Sequence, residues 1–167
     1  SNLVTKIAFP KEILIFSSIL GRIPDLITSL AVLIAILAFY HISLSVHILW
    51  VIPILIIEMI MALAIGMFLA AINVYFRDIT AVVPILLMAW LFLTPVIYPL
   101  ESIPTQYQLY AKLNPMTGIL EGLRSAVITG TPPERISMLF SISITLIFVI
   151  FSYLLFIKLE KGFSDVI

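Results

Sequence analysis

Apolar and polar positions alternate along this chain in long blocks. Residues 48–72 form an apolar run broken only by Glu58, and residues 79–100 and 136–157 form two more with no charged residue. A shorter run, Leu26 to Tyr40, follows Arg22, Pro24 and Asp25, so a helix is expected to start near Pro24 and cover 24–41. Crossing the hydrocarbon of a bilayer takes about 20 apolar residues in a helix. Several runs of that length without a polar stripe are foreign to the core of a water-soluble domain. The expected fold class is all-α: a polytopic membrane protein with one transmembrane domain over 1–167. Four transmembrane helices are expected at 24–41, 48–72, 79–100 and 136–157, with 1–23 as a cytoplasmic loop and helix start.

Residues 101–135, between the last two runs, read as two amphipathic helices at the outer interface. Ile103, Tyr107, Tyr110 and Leu113 fall on one face at helical spacing. The stretch LNPMTGILEGLRSAVITG then carries its own punctuation, with Asn114 as N-cap, Pro115 in the first helical position and Gly130 as C-cap. Met116, Ile119, Leu120, Leu123 and Val127 make its apolar stripe, and Thr117, Glu121, Arg124 and Ser125 its polar side. Thr131 and Glu134 have the spacing of a capping box for the final run. Both helices are too short and polar to cross, and their tyrosines suit the membrane interface. Two readings stand for this segment: a lid that connects two spans, or a gate or re-entrant element. Glu121 and Arg124 can pair within one helix, or across a twofold contact between two copies. Just before it, Pro95 and Pro99 in PVIYP free backbone carbonyls, which membrane depth tolerates only against protein or a wet cavity.

Composition agrees with the pattern. The chain is 62% hydrophobic and 11% charged, against about 25% charged in soluble domains, and its mean hydropathy is +1.23. A net charge of zero offers no field for nucleic acid. The basic residues fix an orientation: Lys6, Lys11, Arg22, Arg77, Lys158 and Lys161 fall on one side of a four-span chain, and only Lys112, Arg124 and Arg135 on the other. Both ends and the turn NVYFRDIT (73–80) are therefore expected to be cytoplasmic. The chain begins at Ser1 without a signal-peptide pattern and reads as part of a longer subunit.

Candidate chemistry is sparse. There is no cysteine, and His41 and His47 are the only histidines, so no metal site is expected. No phosphate-binding GxxxxGK[ST] motif and no catalytic triad spacing occur. Gly118 and Gly122 form a GxxxG whose simplest role is to let another helix approach. Glu58 lies inside a span, either packed as a structural group or as a functional carboxylate. Trp90, Phe92 and Tyr98 lie towards the outer half of the third run. They are either aromatic faces along a substrate pathway or a lipid-facing belt.

The runs NVYFRDI, TPVIYPLESIP, LNPMTGILEGLRSAVITG and KLEKGFSDVI, in this order, together with the opening NLVTKIAFPKEIL, resemble the permease subunit of ABC exporters of polysaccharides. That family includes the O-antigen, capsule and teichoic acid exporters. The resemblance implies a six-span subunit whose first two spans precede this sequence. It implies a homodimer in the cytoplasmic (inner) membrane of a prokaryote, working with a separate ABC ATPase that binds ATP and Mg. This chain would then hold no cofactor and catalyse no reaction. The implied substrate is a lipid-linked glycan, possibly carried on undecaprenyl diphosphate. By the same resemblance Phe9, Pro10 and Lys11, and Tyr75, Phe76, Arg77 and Asp78, face the ATPase. The outer gate then includes Tyr107, Tyr110, Asn114, Pro115, Glu121 and Arg124. The alternatives are an ABC permease for a drug or other small amphiphile, a membrane enzyme acting on lipid-linked sugars, and a non-transporting scaffold. The enzyme would need clustered acidic or histidine residues at one interface, which the sequence lacks.

Overall fold

The computed structural model describes residues 17, 18, 20–42, 44–76 and 78–160, and all regular structure among them is helical. The chain divides into two compact units, Ser1–His41 and Ile42–Ile167. In the first, α1 spans Ile23–Phe39 with Pro24 in its first turn, where the missing N–H leaves no hydrogen bond unmade. An exposed ion pair, Arg22 to Asp25 at 3.2 Å, sits at its start.

The second unit contains α2 (Val51–Asn73), α3 (Ile79–Leu93), α4 (Thr105–Lys112), α5 (Pro115–Arg124) and α6 (Arg135–Glu160). A 3-10 turn, Val46–Trp50, leads into α2, and Ser45 caps it by accepting from the His47 N–H. Two helical stretches are long and apolar enough to cross a membrane, Val46–Asn73 and Arg135–Leu159. α1 and α3 are apolar but shorter. At about 1.5 Å per residue, the 15 residues of α3 span about 22 Å against a hydrocarbon thickness of about 30 Å.

The third apolar run, expected as a span to residue 100, thus leaves the helix at Leu93. Thr94 precedes Pro95, and the proline ring drives the preceding residue out of the helical region; Thr94 has φ −97° and ψ 137°. The final helix starts within one residue of the expected 136, but without the expected Thr131 cap. Thr131 precedes Pro132 and Pro132 precedes Pro133, so the same restriction disfavours helix at both 131 and 132, and α6 begins at Arg135. The Thr131–Glu134 capping box does not form. The Thr131 hydroxyl pairs with that of Thr129, and the Glu134 carboxylate takes Lys112 and Ser137.

α2 and α6 run parallel. Near their starts, the Ser45 hydroxyl donates to the Gly130 carbonyl at 3.2 Å. At their far ends, the Tyr75 hydroxyl donates to the Leu159 carbonyl at 3.1 Å. Ile54 of α2, Ile119 of α5 and Met138 of α6 form the buried core where the three helices meet. α6 buries a seam of small hydroxyl residues, Ser137, Ser141, Thr145 and Ser152. Hydrocarbon solvent supplies no hydrophobic drive between helices, so close backbone approach at small residues is what holds such packing together. The outward faces of α3 and α6 are the reverse, with Ile85, Leu139 and Ile147 all more than two-thirds exposed, as a lipid-facing surface would have them.

Candidate functional site: the break after α3 and its brace

The break at Thr94 leaves polar backbone within a largely apolar body, and α5 supplies its partners. Asn114 and Pro115 start α5 as the sequence pattern predicts. Asn114 is extended (φ −75°, ψ 117°) and its Oδ1 accepts from the Met116 N–H at 3.1 Å. The same oxygen accepts the Trp90 indole N–H at 3.1 Å, and the Asn114 amide donates to Thr94 Oγ1 at 2.8 Å. Thr94 in turn donates to the Trp90 carbonyl at 2.8 Å. One side chain therefore caps α5 and fastens the last turn of α3. Asn114→Ala is expected to cost about 1 kcal/mol for the lost cap alone, and to release the Trp90 indole. A thermal unfolding scan, read alongside the tryptophan emission spectrum, checks both effects.

About two turns further on, Glu121 and Arg124 meet within their own helix. They also reach across to the break. Arg124 Nη2 donates to the carbonyls of Pro95 and Val96 at 3.3 Å each, and Glu121 Oε1 accepts the Leu100 N–H at 3.0 Å. The carbonyls that the prolines free are thus covered by a guanidinium, whose fork suits two acceptors at once. Both side chains are largely buried, 28% exposed for Arg124 and 15% for Glu121.

α5 can come this close because its inner face is nearly bare. Gly118 and Gly122 are buried, as is Ala126 one turn later. A Cβ on Gly118 would lie 2.2 Å from Ser141 Oγ and 2.3 Å from the Ser137 carbonyl oxygen. The Ser141 hydroxyl donates to the Pro115 carbonyl at 2.6 Å. This close approach buries Thr117 completely, although its hydroxyl marks it for the polar side in the sequence pattern. After Arg124 the helix widens into a π turn, Ser125–Thr129, and ends at Gly130 in the left-handed region (φ 65°) that its C-cap role requires.

The neighbouring α4 is tied down by charge. Lys112 Nζ donates to Glu134 Oε1 at 2.6 Å. That bond, with a second from Ser137, holds the Glu134 carboxyl below the usual carboxylate range. A depressed folded pKa contributes stability that is present above the unfolded value and lost as pH falls through the folded one. The α4–α6 tie is therefore expected to survive mild acid, down to below the ordinary glutamate range, and to open under stronger acid. Because Glu134 is about half exposed, the effect on stability is small. Tyr107 fluorescence or amide exchange across α4 as a function of pH reads the opening, and Glu134→Gln removes its pH dependence.

Two cavities flank Trp90. One, of about 310 Å³, is walled by Glu58, Met61, Trp90, Thr94, Met116 and Leu120 among others. The other, of about 640 Å³, lies between Trp90, Ile103, Tyr107, Tyr110, Asn114 and Pro115. The structure thus brings Trp90 beside Tyr107, Tyr110, Asn114 and Pro115. Phe92 points elsewhere and is 58% exposed. Tyr98 lies in the segment after the break and donates its hydroxyl to the Phe92 carbonyl at 3.1 Å. Tyr75, Phe76 and Asp78 lie in the turn between α2 and α3, on the Leu159 side of the unit. Phe9, Pro10, Lys11 and Arg77 lie outside the described residues. Sequence reasoning missed Thr94; its position before a proline in an otherwise apolar run was the available signal.

Residues 6–128 match the ABC-2 type transporter family. Over 71% of its length the chain is 33% identical to the O-antigen export system permease protein RfbA of Myxococcus xanthus, covering 46% of that protein. Over its whole length it is 24% identical to a protein of the same name from Klebsiella pneumoniae, covering 64% of it. Over 53% of its length it is 33% identical to the polysialic acid transport protein KpsM of Escherichia coli, covering 34% of that protein. The chain thus spans roughly half to two-thirds of the length of the two export permeases.

Proposed function

Because this chain belongs to the ABC-2 type transporter family, we propose that it is part of the permease subunit of an ATP-driven exporter. It carries a lipid-linked polysaccharide, of the O-antigen, capsule or teichoic acid kind, from the cytoplasmic side of the membrane to the outside. The observation that carries the reading is the alignment of the whole chain with a permease named for O-antigen export. In this reading the subunit works as a homodimer in a prokaryotic cytoplasmic membrane, and a separate ABC ATPase supplies ATP and Mg chemistry.

The chain crosses the membrane four times, with α1 and α3 completing the two longer spans. α3 makes up its missing length with the non-helical segment 94–99, whose carbonyls at Pro95 and Val96 the Arg124 brace supports. Tyr75, Phe76, Arg77 and Asp78 face the cytoplasm and the ATPase. α4 and α5 lie at the outer mouth, where Trp90, Tyr107 and Tyr110 offer amphipathic ring faces to a sliding glycan. The Ser45–Gly130 and Tyr75–Leu159 bonds support this sidedness, since each joins segments that the orientation assigns to one surface.

Depletion of the full-length permease in its host tests the function. Glycan is expected to accumulate on its lipid carrier inside the cell while surface glycan disappears. Undiminished surface glycan would overturn the reading.

A further inference from the structure

The 310 Å³ cavity between α2, α3 and α5 has an almost wholly apolar wall. Two of its polar groups are already engaged. The Thr94 hydroxyl donates to the Trp90 carbonyl and accepts from Asn114, and the Trp90 indole N–H donates to Asn114. The charges nearest along α5, Glu121 and Arg124, neutralise one another. Glu58 is different: this carboxyl group lines the cavity and has no hydrogen-bond or ionic partner among the described residues.

An ionised carboxyl group in an apolar cavity favours a ligand that brings it one positive charge and otherwise buries apolar surface. A neutral hydrocarbon leaves the carboxyl unpartnered, and an anion is repelled by it. A sugar brings many hydroxyls, most of which this wall would strand without partners. A compact apolar body with a single positive charge meets every requirement. The charge finds Glu58, and the body finds Leu120 and the thioethers of Met61 and Met116, which adapt to varied shapes. The Trp90 ring adds attraction for a cation near its face. We propose that this cavity is a binding site for a small hydrophobic organic cation, an aryl or alkyl ammonium, seated against Trp90 with its charge at Glu58. The proposal concerns a cavity distinct from the tyrosine-lined one and does not depend on which substrate the permease exports.

The test uses the full-length permease in lipid nanodiscs and radiolabelled benzyltrimethylammonium, whose charge does not change with pH. Saturable binding at one ligand per chain is expected. Glu58→Gln is expected to weaken it on the order of tenfold or more. The neutral isostere neopentylbenzene should compete at least about tenfold less well than unlabelled cation. Ala62→Phe, which places a ring in the cavity wall, should abolish binding, whereas Asp25→Asn, an exposed acid of α1, should leave it unchanged. If Glu58→Gln does not fold, the Ala62→Phe comparison decides. Non-saturable uptake, or binding indifferent to Glu58→Gln or to Ala62→Phe, overturns the proposal.

Discussion

Gly118→Ala is expected to unseat α5 and abolish export, although it adds a single methyl group. The new Cβ would fall 2.2 Å from Ser141 Oγ and 2.3 Å from the Ser137 carbonyl oxygen. A hydroxyl can rotate away, but the carbonyl belongs to the α6 backbone and can move only with its helix. Overpacking in a close-packed interior costs about 1–3 kcal/mol, and backbone obstruction places this site at or above the upper end. Retreat of α5 would also break the Ser141–Pro115 bond and pull Asn114 from Trp90 and Thr94. Gly122→Ala provides the contrast. Its Cβ would meet nothing nearer than Ile54 Cδ1 at 3.1 Å, the far end of a flexible side chain. It is expected to lose less than half as much stability and to retain export. Thermal stability of the purified permease and surface glycan in complemented cells check the pair together.

Arg124→Leu is the second large effect. It removes the donors to Pro95 and Val96 and leaves Glu121 largely buried with only the Leu100 N–H. Orphaning a buried polar partner costs about 1–3 kcal/mol, and several are orphaned here. The segment 94–100 should loosen, and export should fall about tenfold or more, the factor that a barrier change of 1.4 kcal/mol gives. Arg124→Lys separates charge from geometry. A lysine can face Glu121, but its single ammonium lacks the planar fork that spans two carbonyls. An intermediate loss is expected. Export is the activity to follow, with amide exchange at Ile97 and Leu100 as the structural readout. If Arg124→Lys matches the parent in both, the fork is not what holds the break.

These two residues also show what a sequence can and cannot disclose here. The apolar runs were legible because a bilayer imposes length and composition on anything that crosses it. The start and stop of α5 were legible because Asn114, Pro115 and Gly130 act locally, through their own backbone and nearest neighbours. The end of α3 was hidden by its hydropathy: LTPVIYPL carries no charge and is mostly apolar, and the Thr94–Pro95 step is what records that the helix stops. Thr117 was misassigned because a hydroxyl scores as polar. Its burial comes from the approach that Gly118 permits, and that depends on what α6 presents opposite. Glu121 and Arg124 stood three apart and open to partners in the same helix or a second copy. The contacts that engage them come from residues 95–100, some 20 to 30 positions away, and no spacing rule reaches that far.

The proposed function has a partner ATPase drive outward movement of a lipid-linked glycan through a permease whose outer break is braced by α5. The most direct measurement reconstitutes the full-length permease with its ATPase in vesicles holding lipid-linked glycan on the ATPase-facing side. Glycan accessible on the opposite side is then followed as ATP is added. The parent should move glycan only with ATP and Mg, and Arg124→Leu should hydrolyse ATP while moving little. Movement that proceeds without ATP, or none by the parent while ATP is consumed, would contradict the account.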